Sequence, residues 1–270
     1  MTKVSGARDK NIEQVNDYRI KAEALAKQEQ EVLKTIDHSG SNSALKRLQL
    51  ADSMLNLVSN YIVMDGVVQS VMKLKNENAL DEARKALYKS IIYLEAVVSN
   101  LVDASYSEYE EKLSAIGTIS PSQRYLLVRK MGLAIDLLKN GYGENTKWRW
   151  TFVEIEGRYA AVAKNIINLK EALLNSDFES EHYEPTVRHM ALVKRLLLQA
   201  ADRYRERYEL STNRIDDFKM GINFLAALRR LNIVTGSQEE AQNIKKKLDI
   251  WNHKLALDME KHEKPGVKKG

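Results

Sequence analysis

Along this chain apolar residues recur at helical spacing, and no segment alternates with the period of a strand. The strongest pattern lies between Trp148 and Leu174. There Trp148, Phe152, Ile155, Tyr159, Val162, Ile166, Leu169 and Leu173 follow in steps of 4, 3, 4, 3, 4, 3 and 4, a seam of the coiled-coil type. A second stripe of Val153, Ala160, Ala163, Ile167 and Leu174 runs beside it. The apolar arc is thus wider than a two-helix seam needs. At about 1.5 Å per residue, such a helix is roughly 40 Å long. It reads as the pillar of a bundle, covered by several neighbours.

The other segments repeat the theme. A polar helix over 10–37 carries only a thin stripe (Val15, Tyr18, Ala22, Leu25, Val32, Ile36) and belongs on the outside of a bundle. Ser39-Gly40-Ser41-Asn42-Ser43 interrupts it and offers an N-cap to the next. Over 43–75, Leu50, Met54, Leu57, Tyr61, Met64, Val68 and Val71 form a second two-sided pattern. Residues 79–115 read as one very long helix whose seam drifts from Leu80, Ala83 and Leu87 to Val102, Tyr109 and Leu113. Ser120-Pro121-Ser122-Gln123 starts another, with proline in the first turn and a capping box. Asn140-Gly141 ends it as a left-handed C-cap, and Asn145 or Thr146 caps the pillar. Pro185 opens a helix with Val187, Met190, Leu197, Ala201, Tyr204 and Tyr208 inside, interrupted or kinked at Ser211-Thr212-Asn213. Ile215, Phe218, Ile222, Leu225 and Leu228 carry the next helix to Gly236. A second capping box at Ser237 to Glu240 launches the last, with Ala241, Ile244, Leu248, Trp251 and Leu255 inside.

The expected fold is therefore all-α: about eight long antiparallel helices in one elongated bundle, with two four-helix layers as the alternative. Residues 1–270 form a single helical domain with a sub-boundary at 141–146, and 1–9 and 263–270 are loose termini.

Composition narrows the chemistry. There is no cysteine among the 270 residues, which removes disulfides, thiolate metal sites and thiol nucleophiles. The opening residues have no apolar core of a secretory signal, and no apolar run approaches a membrane span. A cytoplasmic location is expected. The net charge of +5 sits wholly in the second half, where residues 146–270 hold 23 Lys plus Arg against 18 Asp plus Glu.

Candidate chemistry is sparse. Glu179 and His182 have the E-x-x-H spacing of di-iron bundles, but a second such element and inward glutamates are missing. Asp249 with His253, and Asp258 with His262, have the spacing of ordinary surface pairs. Asp216-Asp217 suits the positive end of a helix and lacks the later aspartate of a diphosphate-binding motif. No metal, cofactor, catalytic residue or small-molecule substrate is expected. The functional lead is a basic set: Arg203, Arg205 and Arg207 alternating with Tyr204 and Tyr208, then Arg229-Arg230, then Lys245-Lys246-Lys247. Arginine and tyrosine anchor protein interfaces and stack on bases, yet Asp202 and Glu206 share that arc, so a salt-bridged face is the plainer reading. Trp150 points away from Trp148 and either closes the bundle end or meets a partner.

These features fit a non-enzymatic scaffold or adaptor that offers helical surfaces to another protein or to a second copy of itself. RNA or anionic-ligand binding through the second-half cations is the rival, and an enzyme with a pocket between helices stands behind both.

Overall fold

The computed structural model describes residues 2–36, 41–143 and 146–263. The interruption at Ser39-Gly40, the cap at Asn145 and the tail 264–270 lie outside the described residues. Ten α-helices follow in order: α1 (Thr2–Lys34), α2 (Ser41–Met72), α3 (Glu77–Val97), α4 (Glu110–Ser114), α5 (Pro121–Tyr142), α6 (Arg149–Asn165), α7 (Leu169–Leu174), α8 (Tyr183–Arg207), α9 (Ile215–Val234) and α10 (Gln238–Glu263). Eight are long and two are single turns or little more, and the described residues contain no strand. The fold is all-α, as the periodicity requires. With neither proline nor a turn cluster in its first residues, α1 takes in Thr2 to Asp9, which their polarity had suggested lie outside it.

Two compact units divide the chain. The first holds residues 1–100 and 109–155; the second holds 101–108 and 156–270. The expected sub-boundary at 141–146 falls inside the first unit, and the division comes within α6, between Ile155 and Glu156.

In the first unit α2 is central, packed by α1, α3 and α5. Leu50, Ala51, Met54, Leu55 and Val58 are buried on two sides of it. Asp65, 2 % exposed, organises the turn into α3: its carboxylate accepts from Gln69 Nε2 at 2.6 Å and from the Asn76 backbone at 2.6 Å. Asn76 in turn caps α3 through the Ala79 amide. Glu29, also buried, is met by Lys89 Nζ at 2.7 Å and by the Tyr93 hydroxyl at 2.5 Å, which fastens α1 to α3. The capping box at Ser120 forms as expected, with Ser120 and Gln123 bonding each other reciprocally.

Two boundaries in this unit differ from the sequence reading. The helix expected over 79–115 stops at Val97, and Ser99 adopts φ +155°. The drifting seam was thus two helices and a crossing, not one bent rod. Helix α5 passes through Gly141 and ends one residue after it, at Tyr142, with Gly143 (φ +78°) as its cap. Gly141 serves close packing instead, because a Cβ there would lie 2.6 Å from Leu80 Cδ2. The Tyr142 ring meets Trp148 and Phe152 at 6.1 and 6.0 Å, so Trp148 lies in the turn before α6.

In the second unit α8, α9 and α10 pack in sequence, and the final residues of α6 are enclosed on every side: Val162 through Ile167 are all buried. Gly157 permits this. A Cβ there would meet Tyr204 Cε2 at 2.6 Å and Phe224 Cζ at 3.2 Å. The expected pillar is nevertheless shorter than its seam. Helix α6 stops at Asn165, whose Nδ2 donates to the Leu101 carbonyl at 3.0 Å. Asn168 then accepts both the Glu171 amide, capping α7, and the Tyr106 hydroxyl at 2.7 Å. Beyond this break the seam leaves the core: Leu173 is 48 % exposed and Leu174 is 78 % exposed.

The burial pattern sets the cost of truncation. Ile155 and Ile166 are essentially inaccessible, whereas Val15 on α1 is only half-buried. Ile155→Ala or Ile166→Ala is expected to lower unfolding stability by about 2–5 kcal/mol, and Val15→Ala by much less. Urea midpoints measured side by side check this; equal shifts for all three would mean that Ile155 and Ile166 carry no more of the core than Val15.

Candidate functional site: an apolar groove between two helices

Arg203 lies 3.5 Å from Glu156 and 2.9 Å from Glu206. Arg205 bonds Glu209 at 2.9 Å, and Arg207 is paired with the buried Asp217. Arg230 reaches Asp103 at 3.0 Å and Lys247 reaches Asp202 at 2.7 Å. Arg229 is half-buried, while Lys245 and Lys246 are exposed on α10. Five of the eight cations therefore face a carboxylate within their own unit, which leaves little uncompensated charge for a polyanion. Trp150 stands in the first unit, half-buried, with the Arg149 guanidinium 4.7 Å from its ring.

The alternating tyrosines have a structural purpose. Tyr204 and Tyr208 are both buried, Tyr204 stacked on Phe224 at 5.5 Å and Tyr208 on Phe218 at 5.0 Å. Phe218 adjoins Trp251, and Arg205 and Lys247 flank that indole at 5.1 and 5.0 Å. Cations over ring faces add modestly to such packing. The ladder ends where the Tyr208 hydroxyl donates to Asp258 at 2.9 Å, with Lys254 on the same carboxylate. Asp258 is thereby engaged within the helices; the His262 side chain lies outside the described ones. Among the described residues no group of three His, Asp or Glu side chains gathers as metal ligands, and no helix is long and apolar enough to cross a membrane.

The exposed apolar surface lies elsewhere. A groove of about 250 Å³ is lined by Leu169, Ala172, Leu173 and Ser176 on one wall and by Val187, Met190, Ala191 and Lys194 on the other, with Thr235 and Ser237 at one end. Single exposed apolar residues need no explanation, but here Leu173, Leu174, Phe178 and Val187 are 48, 78, 84 and 41 % exposed within fifteen residues of chain. Phe178 is held edge-on to Tyr183 at 5.8 Å. Lys194, the one ionisable side chain of the lining, donates to Ser237 Oγ at 2.8 Å.

None of the groove residues was singled out from sequence. Leu169, Leu173, Val187 and Met190 read there as core. On α8 the buried face is Thr186, His189, Val193, Leu197, Ala200, Ala201 and Tyr204: Leu197, Ala201 and Tyr204 are buried as expected, while Thr186 and His189 take the places expected of Val187 and Met190. His189 is 4 % exposed and its Nε2 lies 3.0 Å from the Ala163 carbonyl. Lys164 also escaped notice. It is buried among residues of the second unit, and burial holds its amine down to about 8, with Asp103 and Glu108 pulling it up and Arg230 pushing it down. A lysine between Ala163 and Asn165 on an enclosed helix end carries no sequence signal of its own.

Two measurements test the basic face. Arg207→Gln should cost about 3 kcal/mol, the low end for a broken buried pair, because Thr212 still donates to Asp217. Titrating a fluorescent oligonucleotide at several salt concentrations should then give weak binding, alike in wild type and in the variant with Arg203, Arg205 and Arg230 changed to glutamine. Sub-micromolar affinity that persists at physiological salt and vanishes in the variant would restore the anion site.

The Tyr208–Asp258 contact predicts a pH window. Hydrogen bonding, chiefly to Lys254 and then to Tyr208 and Lys261, holds the Asp258 carboxyl down to about 2 despite its partial burial. Burial first, and then Asp258, pushes the Tyr208 hydroxyl up to about 12. The depressed acid contributes stability above its ordinary 3.8, which is lost as pH falls through 2. The raised phenol contributes stability below its ordinary 10.0, which is lost as pH rises through 12. Wild type should therefore exceed Asp258→Asn most between about pH 4 and pH 10, with the two denaturation curves converging on either side.

No curated protein and no solved structure matches the chain. A family does: residues 7–259, nearly the whole of this all-helical chain and the groove with it, match the sequence profile of the TP0443 family, and the chain belongs to that family.

Proposed function

We propose that the protein is a non-enzymatic scaffold or adaptor that holds another protein at the groove between α7 and α8. The observation that supports this most is the exposure of Leu173 and Val187 in the lining of a ready concavity, with Leu174 and Phe178 exposed close by in the chain. Apolar surface of this kind, clustered and rimmed by polar residues, marks interaction sites. A catalytic pocket would instead bring two or more ionisable groups together, and the lining of the groove holds Lys194 alone. Its size also fits the reading: about 250 Å³ lies below the roughly 300–1,000 Å³ of small-molecule sites and suits one or two anchoring side chains.

Binding of RNA through the second-half cations is less well supported, because Arg203, Arg205, Arg207, Arg230 and Lys247 are already paired.

The test is affinity capture from the source cell by wild type and by Leu173→Ser/Val187→Ser, two exposed residues of the lining, with and without nuclease. Both side chains project from the surface, so the variant should retain helicity and melting temperature. A partner recovered by wild type despite nuclease, and lost with the variant, is the expected outcome. Recovery that depends on nucleic acid, or is the same for both proteins, would remove the groove from the function.

A further inference from the structure

Resting on that reading, the shape and charge of the groove say what kind of segment fills it. Its two walls have the same residue spacing: 169, 172, 173 and 176 on one side, 187, 190, 191 and 194 on the other. Steps of 3, 1 and 3 expose one face of a helix. The groove is therefore bounded by α7, whose wall continues past the helix end to Ser176, and by α8, and the ridge of a third helix packs between two such walls. Six of these eight residues (Leu169, Ala172, Leu173, Val187, Met190 and Ala191) are apolar, and an unbranched methionine adapts to the shape of an incoming side chain.

The loop that joins the two walls is acidic, while Lys170, Arg188 and Lys194 lie on the helices themselves. From residue 171 to residue 187 the chain holds five acids, Glu171, Asp177, Glu179, Glu181 and Glu184, and no lysine or arginine. That is the reverse of the whole protein, whose net charge is +5. Asp177, Glu179 and Glu181 are exposed on the loop that joins the two walls, beside Phe178. Glu184 is bonded to Arg188 at 2.6 Å. Acids around an apolar strip favour a partner with the opposite pattern, guide its approach and repel anionic surfaces.

We propose that the groove receives a positively charged amphipathic helix of a partner protein, its apolar face between α7 and α8 and its lysines or arginines toward Asp177, Glu179 and Glu181.

The experiment uses the full chain and a fluorescein-labelled amphipathic peptide of leucine and lysine, about four helical turns long, beside its leucine–glutamate counterpart. Anisotropy is read with wild type, Leu173→Ser/Val187→Ser and Glu179→Lys/Glu181→Lys, with circular dichroism to confirm that each is folded. The lysine peptide should bind wild type, and the serine variant should weaken it at least about tenfold, the loss expected of a central apolar anchor. The lysine variant should weaken it by a similar factor and begin to bind the glutamate peptide, with the preference shrinking as salt is raised. Lysine-peptide binding that ignores the serine variant would overturn the proposal, since the peptide would then sit on charge alone. So would failure of the lysine peptide to bind at all. Wild-type preference for the glutamate peptide, abolished in the serine variant, would overturn the cationic partner while leaving the groove as a docking site. Sedimentation showing a wild-type dimer that the serine variant dissociates would assign the groove to a second copy of this chain instead.

Discussion

The groove depends on the place where α6 ends. A helix carrying the whole apolar seam from Trp148 to Leu174 would have presented Leu169 and Leu173 to its neighbours and left no concavity. Two asparagines prevent that. Asn165 turns its amide to the Leu101 carbonyl, and Asn168 accepts the Tyr106 hydroxyl while capping the next turn. An asparagine whose side chain caps a following helix must itself adopt extended backbone, as Asn168 does at ψ 103°. With Val162 to Ile167 enclosed by the second unit, the chain can change direction only after them. Helix α7 is the result, and its exposed face becomes one wall of the groove.

Much of the fold was legible because local rules and packing agreed. The all-helical class, the capping box at Ser120 and the stops at Asn213 (φ +48°) and Gly236 (φ +74°) all followed from spacing and turn chemistry. What failed was the inference from apolar to buried. A stripe of period 3.6 shows which residues share a face, not whether that face is covered. On α8 two apolar faces adjoin: Thr186, His189, Val193 and Leu197 meet the core, while Val187, Met190 and Ala191 line the groove. Sequence favoured the face with the larger side chains, and the core took the one with threonine and histidine. The candidate site is thus made of residues whose hydrophobicity had seemed already explained.

The basic face shows the opposite confusion. Arginine alternating with tyrosine over 203–208 resembles a surface for nucleic acid when only side-chain types are counted. In the folded protein the tyrosines turn inward onto Phe224 and Phe218, and the arginines lie along acids from α6, α8 and α9. Asp217 and Glu156 are far from Arg207 and Arg203 in sequence, ten and forty-seven residues away, and no local pattern announces them. Charge balance in this protein is a tertiary property.

The excursion of residues 101–108 has a consequence for how the protein is made. Those eight residues belong to the second unit, yet they leave the ribosome before any of the helices that receive them. Leu101 waits for Asn165, Tyr106 for Asn168, and Asp103 for Arg230. Domains that are contiguous in sequence close one after another during synthesis; here the second cannot close without a piece of chain embedded in the first. A fragment cut at the middle of the sequence would strand that piece with the wrong half, so no single cut in the gene divides the two units.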